Sequence, residues 1–258
     1  MMERRKLPLH TIAKYSQGFT LVEMVTVIIL LGIVSLGVTS LLRFGTQAYV
    51  DVTARDELIA SGRFAVERLN REIRAALPNS VRETSGGTCI EFVPTVGSAI
   101  YQDVPVGPEA SRNTIDIIRF DQTSPAYTTP ANYDVVVYPL YPDDVYVAGN
   151  NKTASLQGLN ETTSNEWELV LTGSMLFADD SPTSRLFFIE RNSVEFCISG
   201  STLTRNNVLM AEDLSLASRF EVNEATHLRN AVVTALLVFE RDGERVTFNN
   251  EVQVINVP

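Results

Sequence analysis

One apolar run decides what this chain can become. Residues 24–42 carry no charge, and their only polar side chains are the hydroxyls of Thr26, Ser35, Thr39 and Ser40. Counted from Phe19, the segment supplies 24 residues. That is about 36 Å of helix, sufficient to span a hydrocarbon core. Glu23 stands at its entrance. A carboxylate in a membrane helix costs roughly 2.5 kcal/mol or more near the centre unless it is paired or close to an interface.

A cut between Gly18 and Phe19 would supply the partner, because it creates a charged amine four residues from Glu23. The string Gly18-Phe19-Thr20-Leu21-Val22-Glu23-Met24, with the apolar run behind it, resembles the type IV prepilin signature. The resemblance implies removal of a leader, residues 1–18, by the membrane-embedded prepilin peptidase. It implies N-methylation of Phe19 by the same enzyme. It also implies a filament held together by N-terminal helices, with Glu23 as the assembly residue.

The leader holds Arg4, Arg5, Lys6 and Lys14 against Glu3, a formal +3. With −10 for the whole chain, the remainder carries −13. Basic residues before a span keep the N-terminus cytoplasmic. With this orientation, the resemblance implies the bacterial inner membrane, single-pass, with the C-terminal part in the periplasm and later on the pilus at the cell surface. Lipid surrounds the span before assembly. An acidic exported part without clustered Lys and Arg argues against nucleic-acid binding. Cys89 and Cys197 fall in an oxidising compartment, where a bridge between them would persist.

Beyond the span, Ile59, Gly62, Val66, Leu69, Ile73 and Ala76 recur at spacings of 3, 4, 3, 4 and 3, one apolar stripe of a continuing helix. Glu67–Arg71 is a candidate i,i+4 pair. Pro78 marks the stop. Strands are expected at residues 88–93, 115–120, 133–138 and 166–171. Hairpins are expected at 185–190 with 193–199, around Arg191-Asn192, and at 232–240 with 244–248, around Arg241-Asp242-Gly243. Residues 248–257 extend as a final strand. Residues 97–113, 122–132 and 139–165 read as long loops. The fold class is α+β: a long N-terminal helix whose first half spans the membrane and whose second half packs on an antiparallel β-sheet. The organisation is a leader at 1–18, the span at 19–42, the amphipathic half-helix at 43–77 and an exported β-rich domain at 78–258.

No catalytic site is legible, and the chain reads as a non-enzyme. His227 is the lone histidine after the leader. No phosphate loop or nucleophile elbow occurs. Asp143-Asp144 and Asp179-Asp180 lack the alternating ligand pattern of a calcium loop, so neither metal nor cofactor is expected.

Residues 44–51, 61–69, 76–82, 89–94 and 251–258 resemble the O-type minor prepilin of the mannose-sensitive haemagglutinin (MSHA) pilus. This implies a low-copy pilin that initiates, primes or caps a pilus used for attachment. Its partners would be other minor and major pilins and the inner-membrane assembly platform. Two alternatives share the N-terminus: a type II secretion minor pseudopilin, and a tip adhesin that binds through the long middle loops.

Overall fold

A computed structural model describes residues 18–224 and 230–254. The leader before Gly18, His227 and the last part of the expected C-terminal strand lie outside the described residues. The chain divides into two units, Met1–Val52 and Thr53–Pro258. Helix α1, Leu21–Arg74, runs through the boundary and is followed by antiparallel β-structure, so the architecture is α+β and pilin-like.

In the first unit α1 is exposed on every side, with Leu21, Ile28, Leu31, Leu36, Leu41 and Phe44 all bare. An all-round apolar helix needs a non-aqueous cover. Its threonine hydroxyls bond back to the helix. Thr26 Oγ1 donates to the Glu23 carbonyl at 2.9 Å, and Thr39 Oγ1 to the Ser35 carbonyl at 2.7 Å. Side-chain back-bonding of this kind satisfies a threonine donor in an apolar medium.

In the second unit the helix buries Leu58, Gly62, Ala65, Leu69 and Ile73. The stripe is thus rotated from the expected one: Ile59 and Val66 sit at its edge, half-buried. The ion pair on this face is Arg68–Glu72 at 2.9 Å rather than Glu67–Arg71, because Glu72 also receives Arg205 at 2.6 Å. Two sheets take up the stripe. One is ordered β1-β2-β9-β10-β11, built from β1 (Arg82–Thr84), β2 (Cys89–Phe92), β9 (Val194–Ser199), β10 (Thr202–Arg205) and β11 (Val208–Ala211). The other is β12-β13-β14, from β12 (Arg219–Asn223), β13 (Ala231–Arg241) and β14 (Glu244–Val254). The core joins Leu69 and Ile73 to Ile90, Phe92, Phe196, Val233, Leu237 and Phe239. The β13–β14 hairpin turns on Asp242 (φ 53°) and Gly243 (φ 86°), as the Asp-Gly signal requires.

Gly62 is there for space. A Cβ on it would lie 2.1 Å from the Phe248 ring, which stands edge-on to Phe239 at 5.9 Å. Alanine in a helix gains about 1 kcal/mol over glycine, whereas overpacking costs about 1–3 kcal/mol. Gly62→Leu adds far more volume with the same propensity gain. It should lower stability by about 2 kcal/mol or more, read as a shifted denaturation midpoint.

The third β-assembly was not legible in the sequence. Strands β3 (Thr95–Asp103), β4 (Arg112–Ile118), β5 (Tyr133–Val137), β6 (Thr153–Glu161), β7 (Glu166–Met175) and β8 (Arg185–Glu190) close into a barrel ordered β3-β4-β7-β6-β5-β8. Two expectations fail here. The long middle loops contain β3, the start of β4 and β6, while short helices α2 (Pro125–Thr128) and α3 (Asp143–Tyr146) cap the connections. The expected 185–199 hairpin does not exist. β8 pairs with β3 and β5, whereas β9 pairs with β2 and β10. Neither Arg191 nor Asn192 has the positive φ of a tight hairpin turn. They instead carry the chain from barrel to sheet.

Alternate residues fill the barrel: Tyr101, Ile115, Ile117, Val135, Leu156, Trp167, Leu169 and Phe188. Trp167 is 1 % exposed and stacks on Tyr127, so it is core. β5 and β8 read as unbroken apolar runs because both their faces are covered. Val136, Phe187 and Ile189 point away from the barrel interior into a second cluster with Leu77 and Val93.

Candidate functional site

The barrel is an insertion. Phe92 pairs with Val194 at the end of the β2–β9 ladder, and the chain between them makes the whole barrel. Its first and last strands are neighbours, with Thr95 opposite Ile189. Cys89 and Cys197 are bridged directly across β2–β9 in register, with Cα atoms 4.2 Å apart.

A strap fixes the barrel to the sheets. Tyr146 of α3 donates to the Ser80 carbonyl at 2.9 Å, and the Arg82 guanidinium lies 3.7 Å from the centre of its ring. Arg82 pairs in turn with Glu91 at 2.6 Å. Burial first, then the Glu91 charge, pushes the Tyr146 hydroxyl above the ordinary 10.0, with Arg82 opposing. Tyr101, buried beside Asp180, is raised too, again by burial first. Both groups hold their protons more tightly when folded. Their contribution is complete below pH 10 and falls above it, for Tyr146 by up to about 1.4 kcal/mol per pH unit. Tyr146→Phe should therefore flatten the decline of melting temperature between pH 10 and pH 12.

At the N-terminal end, Gly18 and Phe19 precede the helix, and Phe19 is exposed. Thr20 is the N-cap residue, because its carbonyl accepts the first helical bond from Met24 N–H at 3.2 Å. The Glu23 N–H donates to Thr20 Oγ1 at 3.3 Å, and the Thr20 N–H donates back to Glu23 Oε2 at 3.4 Å. This is a capping box, T-x-x-E. The carboxylate is thereby turned back towards the end of the helix where Phe19 lies. Sequence reasoning missed this arrangement, although Thr20 and Glu23 have the required spacing.

Three of the four carboxylates in the acidic pairs have partners. Asp144 Oδ2 accepts from the Leu140 and Tyr141 N–H groups at 2.8 and 3.1 Å. Asp179 pairs with the buried Lys152 at 2.7 Å, and Asp180 accepts from the Tyr101 hydroxyl. Among the described residues the one cluster of three metal-ligating types is Cys89, Glu195 and Cys197, and its sulfurs are consumed by the disulfide.

Residues 13–39 match the family model described as the prokaryotic N-terminal methylation motif. No curated protein and no solved structure matches the chain. The motif supports a type IV pilin-like or pseudopilin-like protein, a structural rather than enzymatic class. It implies processing by prepilin peptidase and assembly with other pilins, and with the apolar helix it supports membrane anchoring.

Proposed function

We propose that this chain is a minor type IV pilin of the MSHA biogenesis type, cut between Gly18 and Phe19, N-methylated at Phe19 and used to initiate, prime or cap a pilus for attachment. The single observation that carries this reading is the methylation motif with Glu23 inside it, in front of a helix bare on every side. Residues 1–18 are the leader, 19–42 the span and filament core, 43–77 the second half of the helix and 78–258 the exported domain. Glu23 pairs with the Phe19 amine of a neighbour. A subunit that keeps this acid is suited to a place beneath the tip, within a priming complex of minor pilins. The inner-membrane platform and lipid are its partners before assembly, and its exported domain faces the periplasm.

Deleting the gene and counting surface pili by electron microscopy tests this. Pili should vanish and return with wild type. Normal pili with a secretion defect would favour the type II pseudopilin.

The closed barrel favours a second reading, that of adhesin. Replacing residues 93–193 by Asn-Gly would rejoin Phe92 and Val194 as a two-residue hairpin. The adhesin reading expects normal piliation and at least a tenfold loss of attachment. Loss of both together would mark the barrel as a scaffold.

A further inference from the structure

The two open sheets have four edge strands, β1, β11, β12 and β14. Three of them carry charges: Arg82 and Glu83 on β1, Arg219 and Glu221 on β12, Glu244 and Arg245 on β14. Charges of this kind discourage the addition of a further strand. β11 reads Val208-Leu209-Met210-Ala211 without a charge, and leaves Val208 65 % and Leu209 52 % exposed.

The hairpin fixes which backbone groups of β11 face outward. The Asn206 N–H donates to the Glu195 carbonyl at 2.9 Å. Bonded pairs alternate along an antiparallel ladder, so Thr204, opposite Cys197, forms the next bonded pair with β9. Arg205 then bonds to Val208 across the two-residue turn Asn206-Asn207. Thr204 and Leu209 are a non-bonded pair, and the Leu209 N–H and C=O point away from β10. Among the described residues no backbone group meets them.

Leu209 lines a groove of about 380 Å³ between β11 and α1. Glu57, Leu58 and Ser61 form its helix side, and the exposed Phe64 follows Ser61 on the same helix face. A free backbone donor and acceptor flanked by apolar side chains match the backbone of an extended chain. Three carboxylates, Glu57, Glu212 and Asp213, line the groove against one guanidinium, Arg241, a net −2. Arg241 pairs with Glu57 at 2.5 Å and with Asp213 at 3.4 Å, which leaves Glu212 to a partner. We propose that β11 accepts an extended strand from a second protein, apolar at alternate positions and basic where it passes Glu212. A second copy of this chain suits the edge less well, because it brings its own Glu212 and Asp213 and a net charge of −10. The surface lies wholly within the second unit and stands whether or not the chain enters a pilus.

Fluorescence anisotropy on the full chain in a zwitterionic detergent tests the assignment, with the labelled peptide KVTVTVK as the probe. The peptide should bind. Its counterpart N-methylated at the five central residues keeps the side chains, loses the backbone donors and should bind at least tenfold more weakly. EVTVTVE should bind at least fivefold more weakly, and Glu212→Lys should remove that preference. Leu209→Pro deletes only the outward N–H, a change that edge strands tolerate. It should weaken binding at least tenfold with unchanged melting temperature. If Leu209→Pro unfolds, Leu209→Lys decides instead: the side chain is already half-exposed, a lysine blunts the edge, and binding should weaken at least fivefold. No binding by wild type, equal binding of the N-methylated peptide, or undiminished binding by the folded Leu209 variants overturns the proposal. Equal or tighter binding of EVTVTVE, or a preference that survives Glu212→Lys, overturns the basic partner. A wild-type dimer in light scattering that Leu209→Pro dissociates overturns the proposal in favour of a second copy.

Discussion

Glu23→Gln should preserve the start of the helix and lose the filament. The two roles of this side chain separate cleanly. Glutamine serves a capping box as glutamate does, so the reciprocal bonds with Thr20 survive the change. A cap is worth about 1 kcal/mol in any case. The charge on Glu23 is a different matter. Once the helices leave the lipid and pack together, an uncompensated charge in their core costs about 3–5 kcal/mol, a hundredfold or more in association. On the assembly proposed above, that charge in Glu23→Gln is the Phe19 amine of the neighbour, left without a partner. Piliation and co-purification with other minor pilins should both fall by at least that factor, while helix content measured by circular dichroism stays constant. Glu23→Ala should do the same and also weaken the cap. Normal piliation with Gln, but not with Ala, would show that the residue acts on its own helix alone.

The helix and the C-terminal hairpin were legible for a physical reason. Each rests on local information: an unbroken apolar run in one case, and Asp-Gly with its positive φ angles in the other. The barrel was obscure because its strands depend on distant partners. β6 shows only Ala154, Leu156 and Leu159 inward among polar neighbours and a bulge near Gly158, so it reads as loop until β5 and β7 flank it. β8 and β9 look like one hairpin because they are adjacent and apolar, yet each finishes a different assembly. The Asn206-Asn207 turn between β10 and β11, with φ values of 47° and 64°, was a readable signal passed over. At the site, the Cys89–Cys197 bridge followed from count and compartment. The contact of Arg82 with Tyr146 could not be read, because 64 residues separate its two sides in the sequence.

Removing the disulfide should cost more in the whole chain than in one lacking the barrel. The bridged cysteines are 108 residues apart. A loop of about 100 residues constrains the unfolded chain by about 4.7 kcal/mol in the entropy model, against about 3 kcal/mol for a loop of about 15. Cys89→Ala with Cys197→Ala should therefore lower the melting temperature of the full chain by about 10–20 °C, at about 2–4 °C per kcal/mol. In the chain with residues 93–193 replaced by Asn-Gly, the same pair of changes should remove about 2 kcal/mol less. This difference requires the barrel to unfold together with the sheets. The packing of Leu77 and Val93 on Phe187 and Ile189, and the hold of Arg82 and Ser80 on Tyr146, couple the two. The opposite result has a clear form. A barrel that stayed folded after the sheets melted would keep Thr95 beside Ile189 and hold the chain ends together. The disulfide would then close an effectively short loop, and removing it would produce two transitions with the smaller shift on the first. Calorimetric scans of the four proteins distinguish these cases, and a single transition with the larger shift in the full chain is the expected one.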